Sequence, residues 1–120
     1  MNKHLRKRDM TVESVKYCMI LTACGSFEEA ERIARLLVEE RAAACVQMTG
    51  ITSVYTWKGK TEKEAEVLLL IKTRSSLYGK VEALISAAHS YEIPEIVALP
   101  LTEGLERYFT WVDEVTQQAT

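Results

Sequence analysis

Tyr55-Thr56-Trp57-Lys58-Gly59-Lys60-Thr61-Glu62 lies between two long runs of strand-forming residues, and its reading decides the fold. Lys58-Gly59-Lys60-Thr61 reads as a hairpin turn, so the flanking runs are antiparallel neighbours. The run before it, Ala44 to Trp57, is long for a strand. Its apolar parity also changes midway: Val46 and Met48 share one face, whereas Ile51, Tyr55 and Trp57 share the other. Side chains alternate strictly along a strand, so this change predicts a bulge or bend near Gly50. The return strand is expected from about Glu64 to Thr73.

Upstream, Val15 to Leu21 is a short, nearly continuous apolar run that reads as a buried strand. Ser26 with Glu29 forms a capping box. Phe27, Ala30, Ile33, Ala34, Leu37 and Val38 then recur at helical spacing. Downstream, Ser75 or Ser76 is expected to cap a second helix carrying Leu77, Val81, Leu84, Ile85 and Ala88 on one face. Ile96 to Leu101 reads as a fourth strand, and Thr102 as the cap of a last helix with Leu105, Tyr108, Phe109, Val112 and Val115. Trp111 lies off that stripe. The order is strand, helix, strand, hairpin strand, helix, strand, helix, which is the α+β split βαβ, or ferredoxin-like, arrangement with an added C-terminal helix.

Right-handed crossovers place both connecting helices on one face of such a sheet. A sheet with one wet face should alternate apolar and polar residues. Tyr17 to Leu21, Val67 to Ile71 and Ile96 to Leu99 are instead apolar at consecutive positions, so the second face is expected to be dry. The last helix is too short to cover it alone. A homo-oligomer that buries this face and pairs the long hairpin with a neighbour's strands is the expectation.

The bulk properties fit one domain over residues 15–120. The chain has 120 residues, 48% hydrophobic and 27% charged, with a net charge of −2. That balance gives no basic field for nucleic acid. Lys3, His4, Arg6, Lys7 and Arg8 make the start basic, but no apolar run follows, and residues 1–14 are expected to form a disordered tail rather than a signal peptide. No run reaches the roughly 18 apolar residues of a membrane span. Cys18, Cys24 and Cys45 form neither an even set nor a CxxC pair, which suggests reduced thiols in a cytoplasmic protein.

Four strings occur together in this order: Ala43-Ala44-Cys45-Val46, Tyr55-Thr56-Trp57-Lys58-Gly59-Lys60, Leu70-Ile71-Lys72-Thr73 and Tyr91-Glu92-Ile93-Pro94-Glu95. They resemble the CutA divalent-cation tolerance family, with a likeness running from about Tyr17 to Trp111. The resemblance implies a ferredoxin-like fold and a trimer with strands shared between subunits, similar in architecture to PII signalling proteins. It also implies an association with copper and other divalent metals, and no established catalytic reaction. Copper-linked relatives resemble this chain in having a His where His89 stands. They can also carry a His just before it and a Cys near the end of the first strand, where this chain has Ala88 and Leu21.

Two sets of residues emerge as site candidates. His89, Cys24 and Cys45 are the metal candidates, since imidazole suits copper and zinc and soft thiolates select Cu(I). His89 equally suits a helix C-terminus, and Cys45 a buried apolar strand. Of the thiols, Cys24, beside Gly25 at the strand exit, is expected to be the most reachable. Tyr55, Trp57, Lys60, Tyr91 and Glu95 form the second set, a polar pocket where the hairpin of one subunit meets the Tyr91–Glu95 loop of another, with Lys60 and Glu95 paired. A metal-response protein, a PII-like small-molecule sensor and a mainly structural assembly all suit these sets. An enzyme ranks last, because no nucleophile–base pair or carboxylate cluster stands at recognisable spacing.

Overall fold

The computed structural model describes residues 14–119; the expectation of a tail before residue 15 falls almost wholly outside them. The elements are β1 (Tyr17–Cys24), α1 (Phe27–Glu39), β2 (Cys45–Trp57), β3 (Lys60–Arg74), a 3-10 turn (Ser75–Leu77), α2 (Tyr78–Ala88), β4 (Val97–Leu101) and α3 (Glu106–Val115). The sheet order is β2-β3-β1-β4, antiparallel at every junction. This is the ferredoxin-like split βαβ arrangement.

The core follows from the two periodicities. Cys18, Ile20 and Cys24 of β1 and Val67, Leu69 and Ile71 of β3 point to one face, where Ala30, Ile33, Ala34 and Leu37 of α1 and Val81 and Ile85 of α2 cover them. On the opposite face Met19, Leu21, Leu68 and Leu70 are only half-buried, and Val97 and Leu99 of β4 are 47% and 44% exposed.

The hairpin corrects one expectation. Pairing runs without interruption from Cys45↔Lys72 to Trp57↔Lys60, so there is no bulge at Gly50. Its two-residue turn has Lys58 at φ 51° and Gly59 at φ 81°, the double positive-φ geometry that matches strand twist. The parity change has another cause. Gly50 lies over Phe27 at the very start of α1, and a Cβ there would come within 4.0 Å of its ring. Beyond that point no helix covers the hairpin, so Thr52, Val54 and Thr56 are exposed and the larger side chains sit on the other face.

Two expected caps are not formed. The Ser75 hydroxyl donates to the Val15 carbonyl and its amide to Lys16 O at 2.8 Å, so this serine ties the end of β3 to the start of β1. Thr102 lies four residues ahead of α3, whose N-cap is Leu105 without a side-chain bond. The helix is seated instead by its own side chains on β1: Phe109 stacks on Tyr17 at 4.1 Å between centroids, and the Tyr17 hydroxyl donates to Asp113 Oδ2 at 2.9 Å. Gly104 makes room for that ring, since a Cβ on it would lie 2.6 Å from Phe109 Cζ. Gly104→Ala is therefore expected to cost about 1–3 kcal/mol, the usual range for overpacking. A lowered thermal midpoint together with a loss of Tyr17–Phe109 nuclear Overhauser contacts checks this.

Candidate functional site

The end of β1, the start of α1, the end of α2 and the hairpin converge on residues 89–95. Ser26 caps α1 by accepting from the Glu29 amide at 3.1 Å. The Glu29 carboxylate then reaches the far loop, where Oε2 accepts from the Ser90 amide at 2.7 Å and Oε1 from the Ser90 hydroxyl at 3.1 Å. Burial pushes this carboxyl up, but the Ser90 donors, the His89 ring and the Gly25 amide outweigh it and hold it below the usual carboxylate range.

His89 ends α2, and its side chain is 0% exposed. Its Nδ1 accepts from the Tyr91 amide at 3.1 Å, which assigns the ring proton to Nε2; that nitrogen donates to the Ala23 carbonyl at 2.8 Å. Cys24 Sγ lies 3.8 Å from the same Nε2. The thiol is fully buried, contrary to the expectation that it is the most reachable of the three. Burial, with the Glu29 charge second, pushes it up to about 11. Cys24, His89 and Glu29 thus stand in the order of nucleophile, base and orienter, yet the protons are wrong for that chemistry. His89 offers the thiol an N–H instead of a lone pair, and the thiol stays protonated at neutral pH.

Cys45 is elsewhere. It pairs with Lys72, whereas Cys24 pairs with Val67, five residues along β3 and on the opposite face of the sheet. At about 3.4 Å per residue the separation along the strand is roughly 17 Å, far beyond a shared coordination sphere. His89 and Cys24 come together; Cys45 does not join them.

Beside this buried cluster opens a cleft of about 840 Å³, bordered by Tyr55, Trp57, Tyr91 and Glu95. It is formed within one chain, the hairpin making one wall and the 90–95 loop the other. Lys60 is not part of its lining within one chain; it is exposed at the hairpin end and pairs across the strands with Trp57, and its expected pairing with Glu95 is one between subunits. The lining brings in acidic residues that the sequence reading missed: Glu62, Glu64, Glu66 and Glu92. The first three recur at every second position of β3, a period-2 signal that puts them on one face once the strand is known to begin at Lys60. With Glu95 they make the cleft a region of negative potential, hospitable to cations and hostile to anions.

Two phenols hold this wall in place. Tyr55 Oη donates to Glu64 Oε1 at 2.7 Å, and Tyr91 Oη donates to Glu66 Oε2 at 2.7 Å. The Glu64 bond first, then burial and the neighbouring carboxylates, push Tyr55 up to about 12; burial first and Glu66 second push Tyr91 up as well. A raised folded-state value means that the contribution to stability is fully present below the unfolded value of about 10 and is lost as pH rises through the folded one. A phenolate absorbance titration should show Tyr55, isolated as the difference from Tyr55→Phe, ionising at about 12. Glu64→Gln should return it towards about 10.

A sequence model of the family described as "CutA1 divalent ion tolerance protein" matches residues 18–115. The chain belongs to the CutA family. It is 44% identical to mouse protein CutA over 98 residues, 81% of this chain and 55% of that protein, so it spans about half the length of that mammalian relative. It is also 44% identical to the divalent-cation tolerance protein CutA of Thermus thermophilus, over 82% of this chain and 96% of that one. Among solved structures, the one described as the periplasmic divalent cation tolerance protein CutA from Archaeoglobus fulgidus superposes with a TM-score of 0.83 at 40% identity, covering 84% of this chain and 99% of the other. Among the described residues no helix is long and apolar enough to cross a membrane.

The CutA family is named for divalent-cation tolerance, so the donors around His89 can be tested for their fit to a metal ion. They do not fit one. Both ring nitrogens are engaged by backbone groups, the neighbouring thiol is protonated, and the nearest carboxylate is occupied by Ser90. Among the described residues no three His, Cys, Asp or Glu side chains are grouped to hold a metal ion.

Proposed function

We propose that this CutA chain is a non-catalytic homotrimeric protein of divalent-cation tolerance, which meets ions such as copper weakly or transiently. The observation that carries the assembly is the sheet face without α1 and α2. Val97 and Leu99 are 47% and 44% exposed there, beside the half-buried Met19, Leu21, Leu68 and Leu70, and β2 presents a 13-residue edge. A contiguous apolar patch with a long open edge strand suits association between copies. The acidic cleft supports the cation part of the reading, since its carboxylates concentrate cations near the hairpin. Of the three metal candidates, Cys45 is the thiol with partial solvent access, and it is the one a soft ion reaches. Free Cys18, Cys24 and Cys45 support a reducing compartment, which we take to be the cytoplasm.

A second reading is favoured by the size of the cleft: about 840 Å³ suits a small molecule, as in a PII-like sensor whose pockets are completed by a neighbouring subunit. The negative lining makes a cationic or neutral ligand the better match. Native mass spectrometry with Cu(I), Cu(II) and Zn(II) separates these readings. Three chains per particle with metal retained is the expected result. A single-chain mass at micromolar concentration overturns the assembly; a trimer that retains no metal moves the function to the sensor reading, which thermal-shift screening against small cations then addresses.

A further inference from the structure

We infer that His89 is a positioning residue closed to metal, whose ring sets the Tyr91 phenol in the wall of the cleft. This rests on the reading of that cleft as the ligand site. The ring holds Tyr91 twice. Its Nδ1 accepts from the Tyr91 amide at 3.1 Å, and the two ring centroids lie 4.7 Å apart with the planes tilted by 50°. Nε2 anchors the ring in turn to the Ala23 carbonyl at 2.8 Å. So directed, the phenol runs past Gly25, where a Cβ would lie 3.4 Å from its oxygen, and reaches Glu66 at 2.7 Å.

A metal on Nδ1 would displace the Tyr91 amide. One on Nε2 would require loss of the proton that Ala23 accepts. Either event frees Tyr91 and with it the hydrogen bond that orients Glu66. The imidazole is 0% exposed, so neither event happens without moving residues 89–91. His89 therefore shapes the site by what its two nitrogens already hold.

Two variants and one spectrum test this. In His89→Asn the amide oxygen stands where Nδ1 stands and keeps the Tyr91 amide; His89→Leu fills the space without an acceptor. In the absence of metal, Tyr91 should ionise late in the wild type and in His89→Asn, and move towards the ordinary phenol value of about 10 in His89→Leu. On addition of Zn(II) or Cu(I), the wild-type ¹⁵N signals of His89 should keep the pattern of a ring protonated at Nε2, and His89→Asn should take up metal as the wild type does. A change in that pattern, or a loss of about tenfold or more in metal affinity in His89→Asn, overturns the closure to metal. A Tyr91 ionisation that does not move in folded His89→Leu overturns the positioning role. If His89→Leu fails to fold, His89→Ala, which also lacks the acceptor, decides it: a Tyr91 ionisation moved towards the ordinary value supports positioning, and an unmoved one overturns it. If no form retains metal, the metal reading of the function fails while the Tyr91 readout still decides this one.

Discussion

Glu29→Ala is expected to lower stability by about 2–3 kcal/mol and to release the 89–95 loop, although residue 29 lies sixty positions away in sequence. Hydrogen bonds to a charged group are worth roughly 1.5–3 kcal/mol each, and this carboxylate accepts two from Ser90. The exposed side of Ser90 lets water satisfy its amide after the substitution, which keeps the total near the lower end of two full bonds. The same carboxylate gives an acid limit. Its folded value lies below the usual carboxylate range, so its contribution is fully present above the unfolded value of about 4.3 and is lost as pH falls through the folded one. Chemical denaturation at pH 7 and again at about pH 3, with hydrogen exchange at Ser90 and Tyr91, checks both parts. The wild type and Glu29→Ala should differ at neutral pH and converge in acid. Equal stability at pH 7 would show that Ser90 holds the loop without Glu29.

Leu99→Asp is expected to have the largest effect on assembly. Leu99 pairs with Met19 on the face that α1 and α2 leave uncovered, and it is 44% exposed in the single chain. In the proposed trimer that exposure is removed, and a carboxylate there loses its water without a matching charge, at an effective cost of several kcal/mol per subunit. Light scattering should report a single-chain mass at concentrations where the wild type is assembled. Far-ultraviolet circular dichroism should change little at low temperature, because the core between the sheet and the two helices lies on the other face. A variant that keeps the assembled mass would move the contact surface away from β4.

Much of this architecture was legible because burial and periodicity agree. Ile20, Leu69 and Ile71 alternate with less buried neighbours, and Ile33, Leu37, Val81 and Ile85 fall on helical stripes, so the elements and their order followed directly. The caps at Ser75 and Thr102 misled because a hydroxyl near a helix start has other partners. Ser75 is claimed by Val15, and the Thr102 region by the packing of Phe109 against Gly104. At the site, Tyr55, Trp57, Tyr91 and Glu95 read as the lining of a pocket between subunits, and within one chain these four border the same cleft. Lys60 begins β3 opposite Trp57 at the end of the hairpin, outside the lining of the cleft within one chain. Glu29 and the bonds of His89 were invisible for a deeper reason: they join residues far apart in the chain through single polar contacts, which leave no periodic trace.

The two-residue turn at Lys58-Gly59 has a consequence that reaches well beyond the hairpin tip. Every side chain of β2 from Cys45 to Trp57 takes its side of the sheet from one unbroken count of residues against β3, and that count is set at the turn. Because β1 holds β3 in place from Tyr17↔Arg74 to Cys24↔Val67, deleting a single residue there would carry Tyr55 and Trp57 of β2 through to the opposite side. Glu64 would be left without its phenol, while Glu62, Glu64 and Glu66 stay where they are. Insertions or deletions at this turn are thus tolerable only in pairs, and the aromatic wall that Tyr55 and Trp57 give the cleft is inherited as a matter of chain arithmetic as much as of residue choice.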